Sequence, residues 1–125
     1  MNVGKALGRM LLAGQFIHGG YHAAKEPGGR VAMAEKVGVP NAELMVKVDG
    51  TLMTIAGIML ALGIKQKLAA LVLTGCLIPT TYAGHRFWDE ETKQGSGLQL
   101  TQFLKNAAML GGLIAVLAEE RRSAD

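Results

Sequence analysis

The 125-residue chain has a single cysteine, Cys76, which excludes an intrachain disulfide and any paired-thiol motif and leaves the redox compartment open. It has no Ser-His-Asp set, phosphate-binding glycine loop or binuclear carboxylate motif, so catalysis by the chain alone is not expected. No segment repeats at solenoid spacing, and no tract is of low complexity. Basic residues are scattered among acids at a net charge of +3, which leaves no nucleic-acid footprint. The chain also lacks any charge-free apolar run of roughly 18 residues, so a membrane setting does not follow automatically. A soluble four-helix bundle is the competing reading. Division into two domains would leave each half too little core, so residues 1–125 are expected to form one domain.

What is present favours the membrane. Half of the residues are hydrophobic, mean hydropathy is positive, and there are 17 glycines. That is about twice the usual share of ~7%. Inside a soluble helix each glycine costs about 1 kcal/mol against alanine. Membrane helices use small residues to bring backbones together.

Four apolar segments are predicted to be helical spans, at about 4–24, 42–63, 68–84 and 98–118. The first has Lys5 and Arg9 before its apolar centre and His18, Tyr21, His22 and Lys25 after it. A signal peptide also begins this way, but Gln15, His18 and Tyr21 suit its core poorly. The run from Glu26 to Gly29 breaks that helix, and Arg30 to Pro40 read as a short interfacial helix ended by Gly38 and Pro40. Asn41 is the expected cap of the second span. Lys65, Gln66 and Lys67 make a polar turn. Pro79 interrupts the third span, with Thr74, Thr80 and Thr81 placed to satisfy freed backbone groups. A polar loop over 86–97 precedes the fourth, where Ala107, Gly111 and Ala115 form a thin packing face. Short connections imply an all-α, antiparallel four-helix transmembrane bundle.

With four spans, both termini share one side with Lys65 and Lys67. Six lysines and arginines there face seven on the other side, which does not decide orientation. The very short two-lysine turn, and the number of opposite-side cations inside helices, tilt both termini to the cytoplasm. The expected location is a bacterial-type inner membrane, with the lipid bilayer as first partner and other membrane proteins or self-association as second.

Several residues stand out against this background. His85, Arg86, Phe87 and Trp88 sit where apolar sequence yields to Asp89, Glu90 and Glu91, as side chains do at a membrane interface. Trp88 is expected there as a belt residue. Lys105 and Asn106 lie inside the last apolar run, where a lysine must snorkel or pair. The expected partners are the preceding acidic loop or Asp49. His18 and His22 are one turn apart and share a face, so with His85 they are candidates for a polar ligand pocket or, less favourably, a metal site. Cys76 and the dispersed methionines read as core.

The chain resembles the DoxX family of small four-helix integral membrane proteins. The resemblance rests on PTTYAGHRFW (Pro79 to Trp88), on QFLKNAAMLGGL (Gln102 to Leu113) and on GRMLLAGQFIHGGYHAAKEP (Gly8 to Pro27). The chain departs from the family in having His18 and His22, and in carrying Asp49 in place of a glutamate deeper in the second span. The resemblance implies redox or quinone-linked company, since some relatives are subunits of thiosulfate:quinone oxidoreductase or accompany thiol and superoxide defence. Others look like assembly factors, and family alone does not fix activity. The expected function is therefore an accessory subunit of a membrane redox system. Its pocket would draw on His18, His22, Asp49, His85, Trp88, Lys105 and Asn106, near the non-cytoplasmic face. No cofactor is demonstrable from the residues, and a quinone is the ligand that this company suggests. The alternative is a docking or assembly factor without ligand chemistry.

Overall fold

Asn2 opens the first helix by accepting a hydrogen bond from the Lys5 N–H (3.1 Å), and α1 then runs over Val3–Lys25. The computed structural model describes residues 2–119. Pro27 and Gly28, the latter at φ +50°, turn the chain into the short α2 (Gly29–Lys36). Gly38 at φ +87° ends that element, with the Val39 N–H returning to the Ala34 carbonyl. Asn41 then occupies the position before α3 (Ala42–Leu62), but its side chain makes no capping bond. The reason is its left-handed backbone, φ 47° and ψ 52°, where a capping residue is ordinarily extended.

Gly63 closes α3 in the left-handed region, with Gly63 and Ile64 N–H groups bonded back to Leu60 and Met59. The polar turn shrinks to Lys65, and α4 covers Gln66–Gly84 with Pro79 inside it. Thr74, Thr80 and Thr81 donate to the carbonyls of Ala70, Cys76 and Leu77. None reaches the carbonyl of Gly75, the one that loses its partner to proline, so the expected repair is not made by these hydroxyls. A 3-10 turn (Phe87–Asp89) follows, and α5 spans Lys93–Ala118. α5 starts five residues before the expected Leu98. Thr92 accepts from the Gly95 N–H (2.9 Å), and this cap outweighs the breaking tendency of Gly95 and Gly97.

The core takes its fully buried large side chains one from each long helix: Phe16, Leu60, Leu73 and Leu113. α1 and α3 approach most closely at Gly20 and Gly50. A Cβ on Gly50 would lie 2.6 Å from the Gly20 carbonyl oxygen and the Ala24 nitrogen, so neither position admits a side chain without the helices parting. α2 packs over α3 and α4. The thin face of α5 does not pack within the chain. Ala107, Gly111 and Ala115 are exposed, and Asn106, Leu113 and Val116 turn inward instead.

Three segments are long and apolar enough to cross a membrane: Ala42–Leu62, Gln66–Asp89 and Lys93–Ala118. α1 is long enough, at 23 residues, but falls short in apolarity because Lys5, Arg9, Gln15, His18, His22 and Lys25 interrupt it. Four spans were expected, and length and composition support three. Large apolar side chains such as Leu52, Ile55, Ile58, Leu71, Ile78 and Ile114 face outward from these segments, as they do where lipid is the solvent.

Candidate functional site

Asp49 sits one residue before the Gly50 crossing, which holds its stretch of α3 rigidly against α1. Its carboxylate is 2.9 Å from the Thr80 hydroxyl on α4. The same hydroxyl lies 2.7 Å from the Cys76 carbonyl, so one proton serves two acceptors. One residue along α4, Thr81 donates to the Leu77 carbonyl and accepts from the Asn106 amide of α5 (2.8 Å). Asn106 is the one buried polar residue among the described residues, and Thr81 supplies its partner. His85, at the end of α4, has Nδ1 2.9 Å from the Gln99 side-chain oxygen. With the amide oxygen facing the ring, Nδ1 is the donor in this contact, and in a neutral imidazole Nε2 would then be the acceptor.

These groups border a cavity of about 650 Å³, within the range that holds a drug-sized or cofactor-sized molecule. Asp49, Thr80, His85, Gln99, Lys105 and Asn106, together with Gln15, Arg30 and Gln102, contribute the polar part of its wall. Leu52, Met53, Leu77 and Met109 contribute to the larger apolar part. Lys105 has no carboxylate within 4 Å among the described residues, so the ion pair expected with Asp49 or the acidic loop is not formed. The early start of α5 puts Lys105 near the helix middle, further from that loop than a helix beginning at Leu98 would.

The remaining candidates lie elsewhere. His18 and His22 are exposed and pack edge-to-face, ring centroids 4.7 Å apart, away from the cavity wall. The inward stripe of α1 is Ala13, Phe16, Gly20 and Ala23. At 100° per residue, His18 and His22 fall on the opposite side of the helix. They therefore do not converge with His85, and no group of three His, Cys, Asp or Glu side chains suited to a metal occurs among the described residues. Trp88 is half-exposed and joins Tyr82, Phe87 and Phe103, with the Arg86 guanidinium 4.6 Å from the Tyr82 ring centre and 5.1 Å from that of Trp88. Asp89 holds Arg86 from the other side at 2.5 Å. Cys76 is buried in the core.

Sequence reasoning passed over Gln15, Arg30, Thr80, Gln99 and Gln102, all of which line the cavity. The spacing of Gln99, Gln102 and Asn106 along one helix face was the available signal. Arg121 and Arg122, two of the six cations counted in the orientation argument, lie outside the described residues.

Comparison with curated proteins and with solved structures gives no match. The family model for DoxX matches residues 4–86, a region that takes in α1 to α4 and stops before α5. Matched over well over half its length by that model, and built from the apolar helices just described, the chain belongs to the DoxX family of membrane proteins.

Proposed function

We propose that the protein is an accessory subunit of a membrane redox system whose cavity holds the ring of a quinone-class molecule. The observation that carries this reading is the cavity itself, mostly apolar and with Lys105, His85, Asn106 and Asp49 on its wall. Such a wall offers cationic and amide donors to ring oxygens and the lone pair of His85 Nε2 to a ring hydroxyl. A bound quinone supplies two-electron, two-proton chemistry; the residues here bind it, orient it and exclude water. Electrons would come from another subunit.

In this reading α1 crosses the membrane beside α3, giving four antiparallel spans in one domain with α2 at the interface. Its 23 residues reach about 34 Å, enough to traverse the hydrocarbon. Its polar residues are tolerable where they face the cavity or the interfaces. Lys5, Arg9, Lys65 and Lys67 gather at one end, where the Arg9 guanidinium lies against Gly63. The very short Lys65–Lys67 turn tilts that end to the cytoplasm, and in this reading the cavity lies toward the other face.

The test is mass spectrometry of lipids retained by detergent-purified protein. A co-purifying quinone is expected, lost in Lys105→Leu and His85→Ala and kept in His18→Ala. A protein that retains no quinone, or loses it equally in all three variants, overturns the reading. The exposed Ala107, Gly111 and Ala115 support a second reading, docking to another membrane protein, which a stable co-purifying partner without ligand would favour.

A further inference from the structure

Two contacts join α1 to α5 and the residue after it, and their spacing is regular. Lys5 pairs with Glu119 at 2.7 Å, and the Leu12 side chain comes within 3.1 Å of where a Cβ on Gly112 would stand. Seven residues forward on α1 are thus matched by seven backward on α5. The next step of seven pairs Gly19 with Lys105. There the helices have parted. A Cβ on Gly19 would meet nothing nearer than its own neighbour Gln15 at 4.0 Å, and no atom of α5. The cavity occupies this gap, for Gln15, Gly19 and Ala23 line it from one helix and Gln102, Lys105 and Met109 from the other. Gln15, Gln102 and Lys105 are at the same time exposed, so this wall is also the outer surface of the molecule. α2 packs on α3 and α4 and lends Arg30, Met33 and Ala34 to the cavity wall beside the seam.

We infer that the cavity is loaded sideways from the bilayer, through the seam between α1 and α5, and that its ligand is a lipid-dissolved molecule with a slender alkyl or isoprenoid tail lying over Gly19. From Lys105 to the closed contact at Gly112 the seam runs seven residues, ~10 Å of groove. A polar head near Lys105 and Gln102 leaves that length to a tail, and the tail then passes into lipid. Gly19 presents no side chain to this groove, and a Cβ there would meet no atom of α5 within 4 Å. This inference rests on the cavity being a ligand site, and it adds the ligand's route and its tail.

Trp88 is the sole tryptophan, which makes the route measurable by fluorescence in the full chain. In a Trp88→Phe background, Met109→Trp reports from the cavity wall and Ile58→Trp from an exposed face of α3. The proteins are placed in phosphatidylcholine vesicles brominated midway along the acyl chains, and iodide serves as the aqueous quencher. Bromolipid is expected to quench Met109→Trp about as strongly as Ile58→Trp, with iodide weak. Adding Gly19→Leu, which sets a side chain in the groove, is expected to lower bromolipid quenching of the Met109→Trp reporter by at least about twofold. Quenching by iodide and not by bromolipid would show a cavity open to water, and quenching by neither a sealed one. Either overturns the inference. If Met109→Trp does not fold, Gln15→Trp reads the seam from the facing wall. Retained lipids separate the two readings. Bromolipid quenching together with a retained tailed molecule other than quinone, a phospholipid included, supports lateral loading and removes the quinone assignment. A retained quinone without bromolipid quenching does the reverse.

Discussion

Thr80 has one hydroxyl proton and two acceptors, the Asp49 carboxylate and the Cys76 carbonyl. An amide in place of the carboxylate could donate to the Thr80 oxygen and free that proton for Cys76. Asp49→Asn is therefore expected to melt at or above the wild-type temperature in detergent. Asp49→Leu should lose about 1 kcal/mol, the usual net worth of such a bond. Asn106→Leu strands the Thr81 hydroxyl of its inter-helical donor. Double-mutant cycles on such membrane contacts average about 0.6 kcal/mol, so a loss of that order is expected in thermal or denaturant unfolding. Asp49, His85, Lys105 and Asn106 could be picked out in the sequence because each is polar among apolar neighbours. His18 and His22 have that mark too, yet they face away. Which side of a helix turns inward is settled by its small residues, here Ala13, Gly20 and Ala23, and that competition is not visible in a list of polar positions.

The four long helices were legible from hydrophobic runs and glycine or proline breaks, and so was the short helix between the first two. The start of α5 was not, because Gly95, Ser96 and Gly97 read as loop while a single hydroxyl, Thr92, caps the helix. Thr92→Ala is expected to cost ~1 kcal/mol and to fray the first turn, seen as faster amide exchange over residues 93–97. The α1–α3 crossing was equally hidden. Glycines in several helices look alike in sequence, but the Gly20–Gly50 contact leaves no room for a methyl group, whereas Gly111 has open space around it. Gly50→Ala should lower stability by roughly 1–3 kcal/mol or more, and Gly111→Ala should leave it nearly unchanged. Comparable melting temperatures for the two variants would contradict the crossing described here.

Across the whole molecule α1 and α5 are joined by Lys5, in the first turn of α1, and Glu119, just after the end of α5. The hydrogen bond from Lys5 holds the Glu119 carboxyl below its usual range. A carboxylate lowered in the folded state adds stability above its unfolded pKa, near 4.3, and that stability is lost as pH falls through the lower folded value. Stability contributed by the pair should thus be flat from pH 6 to 8, decline in acid, and shrink with added salt. Both side chains are partly in water, so its size is at most about 1 kcal/mol. Melting curves of wild type and Glu119→Gln against pH test this, because the variant should lack that acid-dependent part.

The same pair has a meaning in time as well as in energy. Lys5 leaves the ribosome before α3 and α4 are made and Glu119 only after α5, so their union cannot form until α5 has been synthesised. A newborn chain halted after α4 would have its first helix held chiefly by α3, without the Lys5–Glu119 pair. The folded protein therefore carries, in one contact between the start of α1 and the residue after α5, a record that α5 has been placed.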